Sequence, residues 1–207
     1  MKNNLNYQTS EYDCGPTTLI NAMRYLFERE ELSPEILKAI SMYTLDTYNE
    51  EGEVGKHGTS AMAMRFLSSW FNQFGEKKRF PIYTEFLDGK DATLTQNSRI
   101  TECLQQKGIV VLRVWLDGDG HYILLTDIQK SKISVFDPYL FPQMAEDAWI
   151  EIVKDQPQKM NRIISLDRIN ESSNKNYAMG EFELRHAMLL YNKKLRLTSK
   201  ETIEYMI

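Results

Sequence analysis

Residues 8–26 read QTSEYDCGPTTLINAMRYL: a polar lead-in, a cysteine, then an amphipathic helix. Leu19, Ile20, Met23 and Leu26 recur at helical spacing and mark one apolar stripe facing a core. Cys14 precedes Gly15 and Pro16, and proline is accepted in a first helical turn because its missing N–H has no partner there. A thiol at that mouth meets unpaired N–H groups and the positive end of the helix dipole, which favour thiolate. Taken alone, Cys14 also reads as a small buried apolar side chain. The rest of the chain has to choose between the two.

The 207 residues suit one domain with a full hydrophobic core. A net charge of −4 gives no footprint for a nucleic-acid partner. Two cysteines, Cys14 and Cys103, are too few for a disulfide framework and fit a reducing cytoplasm. The opening MKNNLNYQ has no apolar run, and no stretch approaches the roughly 18 apolar residues of a membrane span. The expectation is a cytoplasmic chain with no membrane span.

Ser33 caps a second helix with Pro34 at its first position and Ile36, Leu37 and Ile40 inside it. Residues 44–60 form a glycine-containing acidic loop whose His57 reads as solvated. Thr59 or Ser60 caps a third helix with Met62, Phe66, Leu67, Trp70 and Phe74 as its apolar face. Residues 79–87 read as a strand, at an edge because of its proline. Asn97 caps a helix through Ile100, Cys103 and Leu104 that stops at Gly108, and Cys103 is packing. Residues 109–116, 121–128 and 132–136 are three strands joined by DGDG and QKSK. DGDG has too few spaced oxygens to be a calcium loop. Beyond Tyr139 the pattern weakens: a strand in 160–169, a polar loop at 169–176, a strand-like core in 182–191 and a capped terminal helix in 198–207.

A cysteine nucleophile needs a base, an orienting partner for that base and donors for the oxyanion. His121 opens one strand and Asp137 ends the next. A turn centred near Lys130 sets His121 beside residues 137–139, and an even register puts His121 and Asp137 on one face as direct or diagonal neighbours. An Asp holding one ring nitrogen fixes the tautomer and stabilises imidazolium. Asp137-Pro138 is also an ordinary strand stop. Gln8 offers a side-chain NH2 that reaches the same carbonyl oxygen as the backbone N–H of Cys14. His186 is the rival base, with only Asn192 after it as an orienter. Paired Cys-x-x-Cys or His-x-x-x-His spacing is absent, so neither a metal nor another cofactor is expected.

The string Gln8…Asp13-Cys14-Gly15-Pro16, then Gly120-His121-Tyr122 and Val135-Phe136-Asp137-Pro138, resembles the bacteriocin-processing peptidases. These are papain-like cysteine peptidases that remove double-glycine leaders from peptide precursors. The resemblance covers residues 1–140 and includes Gly58-Thr59-Ser60 at a helix start. It implies Cys14 as nucleophile, His121 as base, Asp137 as its orienter and Gln8 as oxyanion donor. In the best-known members this peptidase is the N-terminal part of a membrane transporter with an ATPase domain. These residues show neither part, and 141–207 run past the resemblance.

The expectation is therefore an α+β papain-like fold in one domain. Residues 1–140 form the catalytic core, and 141–207 extend the sheet side and end in a helix. The expected activity is hydrolysis of an amide bond in a peptide or protein substrate. The same residues also suit an acyltransferase or transglutaminase-like enzyme, or a binding protein that keeps the fold without turnover.

Overall fold

The structure is a computed structural model that describes residues 3–140 and 147–195. In chain order it has α1 (Cys14–Leu26), α2 (Pro34–Tyr43), α3 (Ala61–Lys78), β1 (Ile82–Asp88), α4 (Arg99–Gln105), β2 (Ile109–Leu116) and β3 (Asp119–Gln129). There follow β4 (Lys132–Phe136), β5 (Ile150–Ile152), β6 (Arg162–Ser165), α5 (Leu166–Asn170) and β7 (His186–Asn192). The strands form one antiparallel sheet in the order β1-β7-β2-β3-β4-β6-β5. This is the α+β architecture expected, with helices against an antiparallel sheet. Three of its strands come from beyond Tyr139, and β7 is inserted between β1 and β2 rather than added at the rim.

Local chemistry accounts for the elements. Ser33, Ser60, Ser98 and Ser165 each accept a first-turn N–H, capping α2, α3, α4 and α5. Asp117 and Gly118 both have positive φ (50° and 90°), the requirement of the two-residue turn that matches strand twist in a tight hairpin. β2 reads as an unbroken apolar run, IVVL, because the sheet is covered on both faces. Ile109 and Val111 pack with Leu19, Met23, Leu67 and Phe71 of α1 and α3. Val110, Leu112 and Val114 pack with Ile100, Leu104 and Ile169 of α4 and α5.

Several expectations change. Met62 and Phe66 are 71% and 45% exposed, so the buried face of α3 is Ala63, Met64, Leu67, Phe71 and Phe74, rotated from the one read in the sequence. The stripe is ambiguous because apolar residues surround most of this helix. The cap of α4 is Ser98, one residue after Asn97, since the serine hydroxyl reaches the N–H of Thr101. β1 begins at Ile82 and lies at the sheet edge, as its proline predicts. The terminal helix expected over 198–207 lies outside the described residues.

Gly15 explains how α1 is seated. A Cβ on it would stand 2.4 Å from Thr59 Oγ1 and 2.7 Å from Thr59 Cβ, so the first turn of α1 rests directly on the Gly58-Thr59-Ser60 segment. Glycine to alanine inside a helix ordinarily stabilises by up to about 1 kcal/mol. Here Gly15→Ala is expected to destabilise instead, by about 1–3 kcal/mol, because a β-branched neighbour cannot yield. Urea unfolding checks the sign, and a stabilised variant would contradict this packing.

Candidate active site

Asp13 prepares the mouth of α1 without capping it in the usual way. Its carboxylate turns back to accept from the N–H of Thr9 (3.1 Å), the N–H of Ser10 (2.7 Å) and the Ser10 hydroxyl (2.9 Å). Burial raises its pKa, but these donors outweigh burial and hold it below the ordinary carboxylate value. The loop carrying Gln8 is thereby pinned to the helix that starts with Cys14. Thr18 donates to the Tyr122 carbonyl at 3.0 Å, tying α1 to β3 one residue after His121.

The hairpin delivers the pair that its spacing predicts. Leu124 faces Phe136 and Leu125 faces Val135, so continuing the register sets Asp137 opposite Ile123, diagonal to His121 on the same face. His121 Nε2 and Asp137 Oδ1 lie 2.7 Å apart. With Nε2 bonded to the carboxylate, the ring's other nitrogen is left for Cys14, which is close enough to favour the charged form of the ring. All three groups are buried: Cys14 and His121 are each 6% exposed and Asp137 is 0% exposed.

Burial works against charging His121, but the charge and hydrogen bond of Asp137, helped by Cys14, outweigh it and push its pKa up to about 10. Burial likewise disfavours the Asp137 carboxylate, and His121, Tyr177 and the N–H of Tyr139 outweigh it, so its pKa falls below the ordinary value. At neutral pH the pair is thus imidazolium and carboxylate. By linkage, the His121 contribution to stability is fully present below pH 6.5 and is lost as pH rises towards about 10. The Asp137 contribution is present above pH 3.8 and is lost as pH falls through its folded value.

Two residues that hold Asp137 escaped the sequence reading, and both come from the illegible part of the chain. Tyr177, 0% exposed, donates to Asp137 Oδ2 at 2.5 Å. Asn161 clamps the backbone of Asp137 from both sides, accepting from its N–H and donating to its carbonyl, each at 2.8 Å. Tyr177 sits in a polar loop at positive φ (66°), a conformation that tyrosine gives no reason to expect. Only the folded chain brings it to Asp137, 40 residues away in sequence.

The remaining candidates separate clearly. His186 Nε2 and the Tyr122 hydroxyl are hydrogen-bonded at 2.7 Å, and burial together with Arg113 pushes the His186 pKa down to about 4, so it is neutral. Asn192 donates to the Leu26 carbonyl instead of orienting His186. Cys103 is fully buried in the second core cluster, with its thiol directed at the Ile109 carbonyl. Gln8 is tied beside the pair by its N–H to the Pro138 carbonyl (2.8 Å), and its amide donates to the Ser10 carbonyl at 2.7 Å, leaving the second amide hydrogen free of that bond. Cys14 opens onto a cavity of about 440 Å³ whose walls include Thr59, Arg113, Gly120, Tyr122 and His186. His57, solvent-exposed as expected, also lines it. Among the described residues no group of three His, Cys, Asp or Glu side chains is placed to hold a metal.

No family model matches the chain, and no curated protein matches it. Among solved structures, the chain is similar to the peptidase domain of Streptococcus ComA, a bi-functional ABC transporter involved in quorum sensing. That match has a TM-score of 0.43 and 16% identity, over 91% of this chain and 97% of that one. The peptidase domain of Streptococcus mutans ComA aligns with TM-score 0.41 and 14% identity, over 91% and 98%. A double glycine motif protease from an AMS/PCAT transporter, in complex with the leader peptide, aligns with TM-score 0.39 and 11% identity, over 90% and 88%. Roles for individual residues therefore come from this chain's own geometry.

Tyr177→Phe leaves one oxygen of a buried carboxylate without its donor. The expected loss of stability is about 1–3 kcal/mol near pH 6. The gap between variant and wild type should close as acid protonates Asp137, because only the carboxylate needs the donor. Urea titrations across pH 3–7 measure this, and a pH-independent difference would mean that Tyr177 acts by packing alone.

Proposed function

We propose that this chain is a papain-like cysteine peptidase that hydrolyses a peptide or amide bond in the cytoplasm. The observation that carries the reading is the buried chain Cys14–His121–Asp137 opening onto a cavity. Within peptide substrates, the DCGP and GH…DP resemblance points to precursors with double-glycine leaders.

The chemistry follows from the contacts. His121 holds the proton of Cys14 on the nitrogen that faces it, and Asp137 stabilises the resulting imidazolium. The thiolate attacks the scissile carbonyl. The N–H of Cys14 lies in the first turn of α1, where no intrahelical acceptor reaches it, and it stabilises the oxyanion together with the free amide hydrogen of Gln8. Collapse forms a thioester as the amine leaves with the proton from His121. Water, deprotonated by the same ring, then releases the acid and restores the thiol.

The test is acid quenching of the protein with a panel of peptides whose leaders end in Gly-Gly, read by intact mass. A thioester on Cys14, with fragments from one cleavage point, is expected, and Cys14→Ala should give neither. Gln8→Ala should lower kcat by about 10²–10³-fold with KM little changed, as for loss of one oxyanion donor. Cleavage that persists in Cys14→Ala would overturn the reading.

A further inference from the structure

Among the described residues, Arg113 is a cation without an anion. It pairs with Tyr122 across β2 and β3, next to the residue that holds the Cys14 proton. Its guanidinium carbon stands over the Trp115 ring at 4.1 Å from the centroid. The group also lies against Gly120, where a Cβ would stand 3.0 Å from both Nε and Nη2. Glycine before His121 thus leaves room for the guanidinium to rest on the strand. Nη1 is shielded from solvent and has no hydrogen-bond partner, and no carboxylate pairs with Arg113 among the described residues.

Such a site is costly on its own. A half-buried charge loses hydration, and proteins usually offset that loss with an ion pair. Trp115 supplies a cation–π contact but no acceptor for Nη1. Of the ionised side chains lining the cavity with Cys14, Glu11, Lys56 and Asp119 are solvent-exposed and Arg113 is not. Lys56 is already paired with Glu53 at 2.8 Å. His186 and Tyr122, on the same wall, are neutral and bonded to each other. Among the ionised side chains lining this cavity, the half-buried charge that pairs with no carboxylate of the described residues therefore belongs to Arg113.

Resting on the peptidase reading above, we propose that Arg113 is a specificity residue that pairs with a carboxylate of the substrate while the scissile carbonyl meets Cys14. A guanidinium presents parallel N–H groups that match a carboxylate in a two-point contact. That carboxylate is either an Asp or Glu side chain of the peptide or its free C-terminus.

Four alkylating probes separate these sources, each forming a carbon–sulfur bond to Cys14 with loss of iodide. Iodoacetyl-Asp-NH2 carries a side-chain carboxylate and iodoacetyl-Asn-NH2 is its neutral match. Iodoacetyl-Gly carries a terminal carboxylate and iodoacetyl-Gly-NH2 is its neutral match. In a Cys103→Ser background, the rate ratio of anionic to neutral probe is expected to favour one anion by about tenfold, the scale of one charge-assisted contact. Arg113→Gln should collapse the ratio, Arg113→Lys should keep part of it, and added salt should lower it in the wild type. Wild-type ratios near one for both pairs, or a preference that survives Arg113→Gln, would overturn the proposal and leave the peptidase reading standing. If no probe modifies Cys14, the peptidase reading fails and this proposal with it.

Discussion

The hydrogen-bonded pair of His121 and Asp137 is the constraint around which the structure is arranged. Two opposite charges in a buried setting repay their desolvation only when geometry is good and the remaining lone pairs are satisfied. Asp137 meets both conditions: His121 and the N–H of Tyr139 bond one oxygen, Tyr177 bonds the other, and Asn161 fixes the backbone beneath. The sheet order follows the same demand. The strand before Tyr177 and the strand after it lie on opposite sides of β2 and β3, so the chain crosses the end of the sheet where Asp137 sits.

The approach of helix to sheet depends on close backbone contacts. Gly15 lets α1 rest on Thr59, Asp13 draws residues 8–10 over the helix mouth, and Thr18 ties the helix to β3. Each contact is modest, but together they set the thiol against an imidazole that is itself held by a carboxylate. The residues of the DCGP stretch are in that sense structural first, and they set where Cys14 stands.

The legible part of the sequence was the part governed by short-range rules. The hairpin over residues 109–136 announced itself through alternation and turn residues, and its register carried the His121–Asp137 pairing with it. Ser33 and Ser60 marked the starts of α2 and α3, and Asn97 placed the start of α4 to within a residue. What could not be read depends on distant partners. β5 has three residues, too short for a periodic signal, and although strands were read in 160–169 and 182–191, nothing local says that β7 joins the sheet between strands far earlier in the chain. Tyr177 and Asn161 look like loop residues until the fold places them at Asp137. Arg113 interrupts an apolar strand, yet only its lack of a paired carboxylate among the described residues makes it informative. The face of α3 was misjudged because methionine and phenylalanine occur all round that helix, and exposed Met62 and Phe66 broke the expected stripe.

In the proposed mechanism Cys14 and His121 share a proton in a buried site braced by Asp137. The most direct measurement is the rate of Cys14 alkylation by iodoacetamide against pH, in a Cys103→Ser background, for wild type and His121→Ala. The account predicts fast modification well below pH 8.5, the approximate value for a free thiol, and loss of that low-pH reactivity in His121→Ala. Slow reaction in the wild type, unchanged by His121→Ala, would contradict it and leave Cys14 as a packing residue.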